Sequence, residues 1–164
     1  MSVPVGVGHV ELLTAPAGVA FNALGSLSGV GFDLNYGSMS AFLSANPGWV
    51  EISTTGITPV AGRFNGGTAT LQTAIAGGAP AEYVLIGWTG TAATFDAAMG
   101  ITGTMFGSGP MLTTTTGSGG TPPIPATLLS ATFAGMTLAP IPEPATFALA
   151  GLGLAALVAF RRRS

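Results

Sequence analysis

Alternation of large apolar side chains with small or polar ones recurs along this chain and predicts short β-strands. The clearest case is the stretch at residues 29–37, where one face of a strand would carry all the large side chains. Those side chains are Val30, Phe32, Leu34 and Tyr36. Shorter runs of the same kind at residues 49–53, 60–67 and 68–75 predict three further strands, each bounded by glycine, proline or asparagine.

Residues 81–90 have the strongest strand pattern, because β-forming apolar residues occupy both faces. A strand that is apolar on both sides is predicted to lie in the centre of a sheet. Residues 91–100 are rich in alanine, begin with threonines and end at Gly100, which predicts one short helix. The fold class that follows is mainly β: an antiparallel β-sandwich-like domain with one short helix.

Composition divides the chain into four parts. Residues 1–106 form a β-rich body, predicted to be extracellular. Residues 107–126 are rich in threonine, glycine and proline and are predicted to be a linker or long loop. Residues 127–140 are predicted to supply the last strand of the body, near residues 135–139. Residues 141–164 are a tail of different character.

Charge and cysteine content exclude several classes of function. Charged residues make up only 6% of the chain. Cysteine is absent, so disulfides and thiolate metal sites are excluded. Arg63 is the one basic residue before the tail, which leaves nucleic acid binding without an electrostatic basis. No cofactor or metal is expected.

No catalytic arrangement emerges from the spacing of the acidic residues, so we expect no enzymatic activity. A glycosidase needs two carboxyl groups across a cleft, and no pair is selected from the acids of the body. Those acids are Glu11, Asp33, Glu51, Glu82 and Asp96. His9 is interpreted as a surface residue near a frayed terminus. Asp33 and Asn35 are interpreted as solvent-facing strand residues rather than a calcium loop.

Carbohydrate binding is an alternative function for the body. Aromatic side chains on an exposed sheet face would provide the platform for a sugar. The candidates are Tyr36, Trp49, Tyr83 and Trp88. Tryptophans in such positions, here Trp49 and Trp88, are more often core or half-buried sheet residues than part of a sugar-binding face.

The tail contains a run at residues 145–160 that has no charge and predicts a single transmembrane helix. At about 1.5 Å per residue it spans roughly 24 Å, and flanking arginines extend its reach towards the ~30 Å of a hydrocarbon core. The apolar side chains surround the helix on all sides. They include Ala145, Phe147, Leu149, Leu152, Leu154, Leu157 and Phe160.

The orientation of this helix follows from Arg161, Arg162 and Arg163, which stay in the cytoplasm by the positive-inside rule. The body then lies on the other side, and a tail-anchored protein with a cytoplasmic body is excluded by orientation. Residues 141–144, with two prolines and an acid that is costly to bury in lipid, predict an extended tether just outside the bilayer.

The tail resembles the PEP-CTERM sorting signal of Gram-negative bacteria. The motif residues Pro142, Glu143 and Pro144, the apolar run and the terminal arginines occur in the order and spacing of that family. The resemblance implies export, transient retention in the inner membrane, recognition by an exosortase and a final location at the cell surface or outside. It also implies an association with exopolysaccharide production. The low charge and the many threonine, serine and glycine residues suit a component of the extracellular matrix.

The body resembles, more weakly, small PEP-CTERM proteins of Verrucomicrobia-like bacteria, over residues 62–90 and the following ATFDAAM. The family implies a Sec signal at the start, yet residues 1–14 have neither a basic region nor a continuous apolar run. We therefore expect the gene to begin further upstream. The expected function is that of an exported surface or matrix protein sorted by an exosortase.

Overall fold

The structure is a computed structural model that describes residues 3–4, 6–20, 38–57, 60–140 and residue 152. Within these ranges six strands, two α-helices and one 3₁₀ turn are present. In chain order they are β1 (Gly8–Pro16), α1 (Met39–Ala45), β2 (Val50–Gly56), β3 (Pro80–Thr89), α2 (Phe95–Met99), β4 (Met105–Ser108), β5 (Leu112–Thr115), the 3₁₀ turn (Leu129–Ala131) and β6 (Ala139–Pro140).

All six strands belong to one antiparallel sheet with β3 at its centre. The order is β2-β1-β3-β4-β6, and β5 also pairs with β3. Strand β1 pairs with β3 along its whole length, while β4 and β5 follow each other along the opposite edge of β3. The predicted central strand is therefore confirmed, and eight of its ten residues are buried.

Strands β4 and β5 form a single run along β3 that is interrupted by a bulge. The register on β3 shifts by one residue between Ser108 and Leu112, and the amide of Gly109 donates to the carbonyl of Leu85 at 2.7 Å between them. Residues 107–126 were predicted to be a linker or long loop, and β5 corrects that prediction. Threonine is a good strand former, and here the threonine run has β3 as its partner.

The first face of the sheet is buried beneath the two helices. Leu13, Val84, Ile86 and Trp88 point to this side and pack with side chains of both helices and with Phe106. The helices begin where the sequence provides hydroxyl caps: Ser38 accepts from the amide of Ala41, and Thr94 accepts from the amide of Ala97. Helix α2 confirms the predicted short helix.

The second face of the sheet is covered by segments without strand structure. Val10, Leu12, Tyr83 and Leu85 form its buried layer. Side chains from the middle and from the end of the described chain pack on them. They are Phe64, Ala69, Leu129, Phe133 and Met136.

The predicted β-sandwich is wrong for the described part of the chain, which has one sheet. Residues 60–67 and 68–75 were predicted to be strands, but they form turns and irregular chain over the second face. The apolar side chains Phe64 and Ala69 of these segments pack on the sheet. The segments themselves do not pair with a strand. The strand predicted at residues 29–37 lies outside the described residues.

Among the residues that the structure describes, no helix has the length and apolar character needed to cross a membrane. The transmembrane helix predicted at residues 145–160 lies outside them, apart from Leu152, which is helical and 70% exposed.

Candidate functional site

Two carboxyl groups, those of Glu11 and Glu51, meet on the first face of the sheet, and the charge of a third, Asp96, acts on Glu11. Glu11 lies in the middle of β1, Glu51 near the start of β2 and Asp96 in α2. Glu11 is 4% exposed, whereas Glu51 and Asp96 reach solvent. Sequence spacing did not select this group, because its members come from three elements that are brought together only by the fold.

A bulge in β2 places Glu51 beside Glu11. From His9 to Leu12 the register of β1 on β2 is regular, and continuing it would pair Glu51 with Thr14 on the second face. The register instead shifts at Ile52, so that Glu51 pairs with Leu13 on the first face.

Glu11 is a protonated acid at neutral pH. Burial, a hydrogen bond to the Glu51 side chain and the negative charges of Glu51 and Asp96 together raise the pKa of Glu11 to about 9. The Glu11 hydroxyl therefore donates to the Glu51 carboxylate. The core at this point contains a neutral hydrogen-bonded carboxyl group rather than an uncompensated charge.

A cleft of about 690 Å³ opens above this pair, between α1 and α2. Ser40, Leu43 and Ser44 line it on one side, and Thr94 with Asp96 on the other. The carboxylate of Asp96 accepts the backbone N–H of Met39 at 2.6 Å, which ties the start of α2 to the start of α1. This hydrogen bond joins the two helices that line the cleft.

The arrangement does not fit the chemistry of a glycosidase. Such enzymes hold two carboxyl groups about 5–10 Å apart on either side of the scissile bond. Glu11 and Glu51 instead contact each other directly, and the buried member has no access to a substrate. Among the described residues, no group of three His, Cys, Asp or Glu side chains is placed to hold a metal ion.

Glu82 and His9 lie apart from the cleft. Glu82 is 8% exposed, and its Oε1 accepts the amide of Gly18 at 2.8 Å. His9 is part of β1 and stacks on Trp88 with 5.7 Å between ring centroids, so its interpretation as a residue at a frayed terminus is wrong. Asp33 and Asn35 lie outside the described residues.

The aromatic platform expected for a carbohydrate-binding surface is not exposed. Trp49, Tyr83 and Trp88 are each at most 3% exposed. Their polar atoms are used internally: the Trp88 indole donates to the carbonyl of Ala92 at 2.8 Å, and the Tyr83 hydroxyl shares a hydrogen bond of 2.5 Å with Thr132. Tyr36 lies outside the described residues.

Residues 129–140, here named the C-terminal strap, cross the second face of the sheet and lead directly to the predicted sorting motif. Phe133 packs edge-on against Phe64, with ring centroids 5.9 Å apart. At its end the strap becomes β6, in which Ala139 pairs with Phe106 and Pro140 with Met105 at the edge of the sheet. The sequence predicted a last strand near residues 135–139, and the structure has a strand of two residues, Ala139–Pro140, at this place.

Glycines in β3 and β4 make room for the strap. Gly87 and Gly107 lie directly opposite each other. A Cβ atom on Gly87 would be 2.7 Å from the sulfur of Met136, and one on Gly107 would overlap the carbonyl of Thr137. The two glycines form a shallow groove for the strap, which a side chain at either position would fill.

The predicted motif Pro142, Glu143 and Pro144 and the predicted orientation charges Arg161, Arg162 and Arg163 lie outside the described residues. The continuous described range ends at Pro140, one residue before Ile141 and two before the motif. It therefore defines the attachment point of the tail.

Comparison with known proteins identifies the tail. Residues 140–163 match the family model of the PEP-CTERM protein-sorting motif. No curated protein and no solved structure has a significant match to the chain. The match begins at the last residue of β6, so the family assignment applies to the tail. The chain is therefore a protein that carries a PEP-CTERM sorting domain, at residues 140–163.

Proposed function

We propose that this chain is an exported protein of a Gram-negative bacterium that an exosortase processes at its C-terminal motif. The match of residues 140–163 to the PEP-CTERM sorting motif carries the proposal. In it, residues 145–160 hold the chain in the inner membrane until processing, and the arginines at 161–163 keep its end in the cytoplasm. The body is then delivered to the cell surface or to the extracellular matrix.

We propose no catalytic activity for the body. The converging carboxyl groups are the arrangement closest to an active site, and their buried member is hydrogen-bonded to its neighbour rather than facing a ligand. A structural role in the matrix suits a small sheet of low charge. Exopolysaccharide is the partner class proposed for it, and a carbohydrate-binding module is the weaker alternative because three of its four aromatic candidates are buried.

The sorting proposal is tested in the source bacterium. The full gene is expressed with its upstream region, with and without the exosortase gene, and the C-terminal mass of the mature protein is measured in membrane and extracellular fractions. The wild type is expected to lose residues 161–163 and leave the inner membrane only when exosortase is present. A mature protein that keeps its arginines and stays in the inner membrane would contradict the proposal.

Substitutions in the motif sharpen this experiment. The double variant Pro142→Ala, Pro144→Ala is expected to remain unprocessed, because it removes the rigid prolines that define the motif. The matched control replaces Pro123 and Pro125, two exposed prolines of the body, and is expected to be processed like the wild type. Equal processing of the two double variants would show that the motif is not what the enzyme recognises.

A further inference from the structure

The sorting motif is joined to the folded sheet by a very short segment. Strand β6 ends at Pro140, and the motif starts at Pro142, with Ile141 alone between them. The four residues 141–144 reach at most about 14 Å when fully extended, at 3.3–3.6 Å per residue. The proposed membrane segment starts immediately after them, so the edge of the sheet lies within that distance of the bilayer.

An enzyme that binds a peptide commonly holds it as an extended strand and uses the backbone groups on both sides of its recognition site. On the N-terminal side of this motif, those groups belong to Ile141, Pro140 and Ala139. The latter two are already paired with Met105 and Phe106 of β4. The backbone groups that face β4 are therefore occupied, and an enzyme that encloses the peptide on both sides would have to displace β4.

The pairing of β6 is suited to being broken. It consists of two residues at the edge of the sheet, and Pro140 has no N–H to donate. The strap before it is held more firmly, because Phe133, Met136 and Leu138 lie against glycines 109, 87 and 107. Separation of β6 therefore frees the residues next to the motif while the rest of the strap stays on the sheet.

We propose that β6 is a releasable clasp, which must separate from β4 before an exosortase can bind and process the motif. This inference rests on the proposed function, since it concerns the access of that enzyme to its substrate. The clasp couples processing to a local opening of the body. The folded sheet itself limits how fast the tail is removed.

A reversible cross-link tests the clasp. The chain has no cysteine, so the variant Met105→Cys, Pro140→Cys contains a single possible intramolecular disulfide, between residues that lie opposite each other in β4 and β6. Diamide, a two-electron oxidant, closes the disulfide in membranes that contain exosortase, and dithiothreitol reopens it. We expect processing of the oxidised variant to be slower than that of the reduced variant by about tenfold or more. The disulfide removes the state in which β6 is separated from β4, which is the state that the enzyme can bind.

Matched variants separate the clasp from other effects. Each single cysteine variant is expected to be processed at the same rate under both redox conditions. A double-cysteine variant with a flexible Gly-Ser insertion between positions 140 and 141 is expected to be processed at the same rate whether oxidised or reduced, since the enzyme no longer needs the backbone of β6. Equal rates for the oxidised and reduced double variant without the insertion would overturn the clasp.

Failure of the underlying sorting proposal gives a different result. In that case neither the wild type nor any cysteine variant loses residues 161–163 in the presence of exosortase. A wild type that is processed, with a cross-linked variant processed equally fast, leaves sorting intact and rejects the clasp alone.

Discussion

The Glu11 hydroxyl donates a hydrogen bond to the Glu51 carboxylate across the β1–β2 pair, and a bulge at Ile52 makes this contact possible. The bulge moves the start of β2 by one position, so that Trp49 and Glu51 face the helices together. An irregularity of one residue therefore decides both the aromatic packing and the position of the acidic pair.

Ionisation of Glu11 is expected to make the protein less stable as pH rises. Its pKa is about 9 in the folded state against 4.5 for the ordinary group. Between these values the folded state binds one more proton than the unfolded state. The free energy of unfolding therefore falls with rising pH, by at most about 1.4 kcal/mol per pH unit, and levels off above the folded pKa.

The variant Glu11→Gln checks this prediction. It keeps a neutral hydrogen-bond donor for Glu51 but cannot ionise. Urea unfolding of the full chain, followed by the fluorescence of the buried Trp49 and Trp88, is expected to show a flatter pH dependence and higher stability than the wild type at pH 8. A pH dependence as steep as that of the wild type would show that another group is responsible.

Asp96→Asn provides an independent test of the same cluster. The Asp96 charge is one cause of the raised pKa of Glu11, so removing that charge is expected to lower this pKa towards its ordinary value. The plateau in the pH dependence of stability should then begin at a lower pH than in the wild type. Titration of Glu11 by carbon-detected NMR measures the shift directly. An unchanged Glu11 pKa would show that the Asp96 charge does not contribute to the raised pKa of Glu11.

The hydrophobic pattern of the sequence predicted the elements that depend least on pairing with distant parts of the chain. Strand β3 is apolar on both faces, and α2 has a threonine cap and a terminal glycine, so each is specified by its own residues. Strand β1 is buried along most of its length and contains Glu11, which hides the alternation that marks a half-buried strand. The feature that distinguishes β1 in the sequence is a single acid, Glu11, within an apolar run.

Elements that depend on a distant partner were not predictable in this way. Residues 68–75 alternate like a strand but find no neighbour to pair with, whereas Thr113 and Thr114 in the predicted linker pair with β3. The acidic pair depends on the bulge in β2, and a bulge is defined by register on the partner strand. The sorting motif was predictable because its chemistry lies within one continuous stretch.

Phe106→Ala is expected to be the more damaging of two neighbouring substitutions in β4. The Phe106 ring is 1% exposed and packs edge-on against Phe95, with 5.4 Å between centroids. Its removal leaves a cavity in the core under the helices and is expected to lower the free energy of unfolding by about 3–5 kcal/mol. Met105→Ala is the control, since that side chain is 38% exposed and its loss should cost about 0.5 kcal/mol or less. Similar losses in urea unfolding would contradict the assignment of Phe106 to the core.

Thr94→Ala is expected to destabilise α2 through the loss of its cap. The Thr94 hydroxyl accepts the amide of Ala97 at 3.3 Å at the start of a helix of five residues. The expected loss is about 0.5–2 kcal/mol, measured by urea unfolding. Thr91→Ala, at another exposed threonine of the same loop, should change stability much less. Equal effects would show that the cap does not stabilise the helix.

Gly107→Ala is expected to loosen the C-terminal strap. The new methyl group would overlap the carbonyl of Thr137 and approach the Leu138 side chain to 3.0 Å, and a backbone neighbour cannot rotate away. The strain is expected to cost about 1–3 kcal/mol and to raise hydrogen exchange in residues 133–140. Gly119→Ala is the matched control, because a Cβ atom there meets nothing within 4 Å. If β6 is a releasable clasp, the Gly107 variant should also be processed faster than the Gly119 variant, whereas equal exchange in both would show that the glycine groove does not hold the strap.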